Sequence, residues 1–420
     1  MYRSTRLPDG LTVLTVALPH MASISLGIWV GAGGRHEPAT LNGVSHFIEH
    51  LLFKGTRRRT AAQISQAVEG IGGYLNAFTD EEHTCFYSRA QASRMPELLD
   101  VLLDMFLGSA FAPAEIAKER DVIKEELAMY RDQPAEHVHD LLNAAQFPAH
   151  PLGRPVIGTA KTLDAMGRTD LVGYLATHYV TGATVIAAAG DVDHDELVKL
   201  VSKRAKAFRT GDRQGHVPAP PLAAAPRIVS ACRRTEQANL SLALRTASRH
   251  DERRHALRLL NVLLGENMSS RLFQKVREEN GLTYNIQSSL SLWADAGDIV
   301  VSAGLDPAQI ERTLKLVVAE LHRLRDIAPG RAELDRARDY VLGQAELNLE
   351  GTENHMMILG EQWLGFGRLV PHAETKAKLL AVKPSEVRAA ARDFFRPERM
   401  TLALVSPRKS AAGLERLLVD

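Results

Sequence analysis

The chain has 420 residues, 45% apolar and 24% charged, with net charge +1, so two domains of about 200 residues are expected and no strong pull toward nucleic acid. Two cysteines, Cys85 and Cys232, exclude a disulfide framework and a four-cysteine metal site. No apolar run reaches the roughly 18 residues of a membrane span and no apolar leader opens the chain, so the protein reads as cytoplasmic.

In chain order, β-branched and apolar runs predict strands over 12–17 and 24–30. The next segment is His46-Phe47-Ile48-Glu49-His50. On a helix, residues three and four apart share a face, so His46, Glu49 and His50 point into one space. Two imidazoles there can hold a metal ion, and a carboxylate beside it can take a proton from metal-bound water. Gly43 and Ser45 stand before this helix as turn and cap residues, while Phe47, Ile48, Leu51 and Leu52 give it an apolar side. Taken alone, two histidines and a glutamate on a helix need no metal.

Amphipathic patterns then predict helices over 61–70 and 95–109 around a strand at 84–90. Residues 113–127 read as a strong helix whose apolar side is Ile116, Val122, Ile123 and Leu127. Glu119 and Glu126 are two turns apart and share a face, with Glu125 about 100° away. A third metal ligand from a second helix has its candidates here. A strand follows at 184–189, and then a Pro-, Gly- and Ala-rich stretch over 211–226 marks a linker. The domain expectation is therefore 1–212, a linker at 213–226, and 227–420. In the second half, strands are expected over 239–245, 286–292, 298–303 and 400–405, with a helix over 310–325.

The halves repeat one another. Residues 114–123 align with 332–341, an offset of 218, and the strand at 24–30 has a counterpart at 240–244. At the positions of Glu119 and Glu126 the second copy carries Ala337 and Gln344, and its helix around 256–264 has no histidine pair. The second half reads as a copy that kept its helix and lost its ligands.

The H-x-x-E-H order, with Glu126 lying 76 positions after His50 and Glu119 seven before Glu126, resembles the M16 family of zinc metallopeptidases, the inverzincins. That family includes pitrilysin and the mitochondrial processing peptidase, and the chain is most like its short two-domain members. The resemblance implies that His46, His50 and Glu126 bind one Zn2+ per chain, that Glu49 activates water and that Glu119 supports a ligand histidine. It implies an α+β fold of two homologous domains, each a largely antiparallel sheet with helices on one face. Residues 72–79 resemble the family's active-site edge strand, so Asn76, Ala77, Phe78 and Thr79 are expected to pair with an extended peptide. Residues 277–284 resemble its arginine–tyrosine element, which makes Arg277 and Tyr284 expected partners of the oxyanion. Because the chain has both elements, a homodimer of zinc endopeptidases acting on short or unfolded peptides inside a closing chamber is the economical expectation. The alternative is a non-catalytic or partner-dependent structural subunit of the same fold. Asp80, Glu81 and Glu82 beyond the edge strand read as a solvated turn or as a magnet for basic substrate side chains.

Overall fold

The computed structural model describes residues 2–419. Eleven strands form two sheets among these residues. The first contains β1 (Tyr2–Arg6), β2 (Thr12–Ala17), β3 (Ser23–Val30), β4 (Tyr74–Thr79), β5 (Thr84–Gln91) and β6 (Thr184–Gly190), in the order β1-β2-β6-β3-β5-β4. The second contains β7 (Arg227–Cys232), β8 (Ala238–Thr246), β9 (Thr283–Leu292), β10 (Gly297–Leu305) and β11 (Met400–Ser406), in the order β7-β11-β8-β10-β9. Each sheet is antiparallel but for one parallel pair, β2 with β6 and β7 with β11. Residues 211–226 form neither helix nor strand.

The central strands form where β-branched and apolar residues run together, and in the first sheet β2, β3 and β6 are buried on both faces. Ile24, Leu26, Ile28 and Val30 of β3 point into the core built by the helices Val44–Leu52, Ala61–Glu69 and Met95–Gly108. Trp29, with Leu14, Val16, Val185, Ala187 and Ala189 from its neighbours, points the opposite way, against Met356, Leu359 and Leu364 of the helix Thr352–Phe366. The period of two along a strand sorts these residues between the two layers. Trp29 is fully buried; its indole N–H donates to Met356 Sδ at 3.3 Å, and Gly360 leaves room for its ring. The second sheet is built likewise: its main helical core lies on one face, and Val138 and Leu142 of the helix Pro134–Gln146 cover Ala243, Val300, Ala403 and Val405 on the other. Beyond the helices expected on one face, each sheet thus also carries a helix on the other. The reason is that alternate residues on both sides of the central strands are apolar.

The compact units do not coincide with the halves of the sequence. One comprises Met1–Ala128, Arg154–Val217 and Leu347–Leu369; the other comprises Met129–Gly153, Pro218–Glu346 and Val370–Asp420. Each half of the chain therefore lends one helix to the sheet of the other. The lent helices begin at Pro134 and Thr352, which stand at the same offset of 218 as the rest of the repeat.

Candidate metal centre and substrate edge

The helix Val44–Leu52 is fixed at its start by a residue that sequence reading missed. Its first turn leaves backbone N–H groups without helical partners. The buried Glu37 carboxylate takes them, accepting from Gly43 N at 2.7 Å and Ser45 N at 2.9 Å, with Asn42 Nδ2 at 3.1 Å. Ser45 is not the cap; its hydroxyl donates to Tyr174 at 3.1 Å. Gly43 has φ +94°, and a Cβ there would stand 2.7 Å from the Ile157 carbonyl oxygen, so glycine is required. Phe47, Ile48, Leu51 and Leu52 are buried in the core. That burial, worth about 1.5–3 kcal/mol for each large side chain, forces His46, Glu49 and His50 to the other side.

The helix Pro113–Asp132 packs through Ile116, Ile123 and Leu127. Val122, expected on that apolar side, is 44% exposed: it sits one residue round the helix from Ile123, off the packed stripe. His46, His50 and Glu126 converge, each offering a ligand atom within 4.8 Å of the others. Glu126 Oε2 lies 3.8 Å from His46 Nε2 and 3.7 Å from His50 Nε2. A tetrahedron with bonds of about 2.0–2.1 Å spaces its corners by about 3.4 Å, so small side-chain shifts bring all three onto one ion. Two imidazoles and one carboxylate, with a fourth position open, match the donor types of catalytic zinc sites. Burial, reinforced by His50, lowers the His46 pKa to about 3, so this imidazole is neutral and its lone pair is available to a cation.

Glu49 and Glu119 flank these three residues. Burial raises the Glu49 pKa above the usual carboxylate range, against the opposing pull of the Thr79 hydroxyl, which donates to Oε2 at 2.6 Å. A carboxyl whose pKa moves up toward neutrality is a stronger base at working pH. Glu119, 1% exposed, approaches His50 Nδ1 at 3.2 Å through Oε2.

Thr79 ends β4, the outermost strand of its sheet, bonded to β5 on one side. Leu75 and Ala77 face the helical core, and Phe78 makes edge contacts with Trp29 and Tyr87 on the opposite face. Asn76 Oδ1 accepts from the Ala77 N–H at 2.9 Å. Beyond it, the acidic run is not uniformly solvated. Glu82 is buried in an ion pair with the fully buried Arg35 at 2.8 Å, and Asp80 accepts the backbone N–H groups of Glu82 and His83. In the other unit, the Arg277 guanidinium lies 4.9 Å from the ring centre of Tyr284 and 4.6 Å from that of Phe273, and Tyr284 is 80% exposed. Arg277 lies in the last residues of the π-helical turn Phe273–Glu278 before β9, and Tyr284 is the second residue of that strand.

Two family models match the chain: the insulinase model of peptidase family M16 over residues 12–160, and the peptidase M16 inactive domain over 165–341. A protein named as an uncharacterized zinc protease from Streptomyces coelicolor is 40% identical over 97% of this chain and 90% of its own length. Proteins named likewise are 38% identical in Mycobacterium tuberculosis, over 99% of this chain and 95% of that one, and 35% identical in Bacillus subtilis, over 95% and 97%. Among solved structures, a protease from Helicobacter pylori superposes with a TM-score of 0.91 at 21% identity, covering 97% of this chain and all of that one. A chain of complex III from Candida albicans superposes at 0.85 with 19% identity over the full length of both. These two likenesses concern the fold alone, and they show it carried by a protease and by a complex III chain alike. No helix among the described residues is long and apolar enough to cross a membrane.

Proposed function

Because the chain belongs to peptidase family M16, with zinc as cofactor and relatives named zinc proteases, we propose that it is an endopeptidase cleaving short or unfolded peptides at His46, His50 and Glu126. The observation that carries the reading is that the three donors share one space with a buried base, and that base is bonded to the end of an open sheet edge. Zinc held by these residues would supply a Lewis acid that lowers the pKa of a water and polarises the scissile carbonyl. The chain's own groups do the rest. Glu49 has Oε2 engaged by Thr79, so Oε1 takes the proton from the attacking water and later delivers it to the leaving amine. Glu119 accepts from His50 Nδ1, which leaves Nε2 unprotonated on the side of Glu126.

Substrate adds as a strand beside Asn76, Ala77, Phe78 and Thr79, which sets its backbone against the base. Arg277 and Tyr284 are assigned to the oxyanion of the substrate carbonyl. Since one chain holds both elements, a homodimer enclosing substrate in a closing chamber is the assembly this reading favours. The complex III likeness brings the non-catalytic subunit back as a rival, and the complete set of His46, Glu49, His50, Glu119 and Glu126 speaks against it. The test is hydrolysis of a quenched fluorescent peptide by the purified chain, with loss in chelator and return on adding zinc. A fully metallated chain with no turnover on any member of a peptide library would sink the reading.

A further inference from the structure

Of the two ligand histidines, only one is braced. His46 Nδ1 is buried with no hydrogen-bond partner among the described residues. His50 Nδ1 meets Glu119, and Glu119 in turn divides its oxygens: Oε2 lies toward His50, while Oε1 lies 2.9 Å from Lys54 Nζ. Lys54 stands four residues past His50, where its own N–H still bonds the Leu51 carbonyl at 3.1 Å. It therefore rises from the C-terminal end of the same helix, a place that favours a cation. On the helix of Glu119, Arg120 is committed to the carbonyls of Leu163 and Met166 and Lys124 to Asp164.

We infer that Lys54 is a positioning residue of the metal centre, extending the His50–Glu119 pair into a chain of three groups that orients the imidazole. A carboxylate with two acceptors and one histidine to serve can swing; a cation on its second oxygen fixes its plane. The charges agree. Glu49, Glu119 and Glu126 bring three negative charges to a largely buried space, zinc supplies two positive charges, and Lys54 supplies the third. A buried charge without compensation is costly, so the metal alone leaves this site one cation short.

The inference rests on the metal reading above, and the experiment separates the two. Zinc affinity is measured by competition with a chromophoric chelator for the wild type, Lys54→Met and Lys54→Arg, alongside the visible spectrum of the cobalt-substituted proteins and the Tm of the metal-free proteins. Lys54→Met is expected to weaken zinc about tenfold, at the low end for groups that orient a ligand, and to alter the cobalt spectrum. Lys54→Arg, which keeps the charge, is expected to restore affinity and hold the metal-free Tm, whereas Lys54→Met leaves the buried Glu119 without its cation and lowers that Tm. Wild-type affinity in Lys54→Met overturns the inference, as does equal weakening in Lys54→Arg, or an unaltered cobalt spectrum in Lys54→Met, which makes Lys54 merely structural. A wild-type chain that binds no zinc overturns the metal reading itself and this inference with it.

Discussion

The helices Pro113–Asp132 and Arg331–Asn348 are two copies of one element that differ where chemistry is done. Ile116 and Ile123 are buried in the first, and Leu334 and Val341, 218 residues later, are buried in the second. At the intervening position the first helix buries a carboxylate, Glu119, and the second a methyl group, Ala337. One turn pair further, Glu126 reaches the histidines, whereas Gln344 is exposed. The fold is indifferent to these exchanges, because it is held by the apolar stripe. Burying Glu119 costs desolvation that Ala337 never incurs, and the ion pair with Lys54 and the contact with His50 offset it. The lesson is that these positions lie outside what the stripe requires, so they are where function can be looked for.

Three substitutions test this division, beginning with the largest effect. Glu49→Gln keeps the shape of the base and removes its capacity to take a proton. It is expected to lower kcat by roughly 10²–10⁴ with zinc content unchanged. In the wild type, activity should fall as pH drops through the raised pKa of Glu49, above the usual carboxylate range, since the base works only when ionised. Near-wild-type turnover with full metal in Glu49→Gln would remove it as the base.

Tyr284→Phe touches the half that has no ligands. If the copy contributes an oxyanion donor, kcat should fall by roughly 10²–10³ while zinc content and Tm hold. The ring is 80% exposed, so its packing gives little reason for a change in stability. Unchanged kinetics would leave the second half without a chemical role.

Glu119→Ala makes the first helix resemble the second at one position. Zinc affinity should weaken by roughly 10–100-fold, the range for groups that orient a ligand, while the metal-free protein keeps or gains thermal stability. Isothermal titration and a melting curve of the stripped protein read both quantities. A collapse of the metal-free fold would show that Glu119 belongs to the scaffold, and the contrast between the two helices would fail.

Much of the site was legible because helical periodicity is local. His46, Glu49 and His50 lie within five residues, and the 3.6-residue turn puts them together whatever the rest of the chain does. The strands at 12–17 and 84–90 and the helices at 61–70 and 95–109 were legible for the same reason, each to within a residue or two of its bounds. The resemblance supplied Glu126, and the packing of two helices gave it its distance. Val122 was misplaced because an apolar residue beside the stripe differs from one within it only by what packs there. Glu82 was misread because an acidic run after a strand looks solvated until Arg35, 47 residues earlier, closes on it.

By itself, the sequence determined the two copies, their offset, the motif helix and the absence of its histidine pair from the second half, since all of these are patterns within short windows or between aligned ones. Only the tertiary structure decided that Glu37 caps the motif helix, that Lys54 meets Glu119, and that each half lends a helix to the other's sheet. Those facts depend on which distant segment covers a given face. Burial, which makes an unpaired carboxylate costly and an apolar strand face demand a cover, is a property that no residue carries alone.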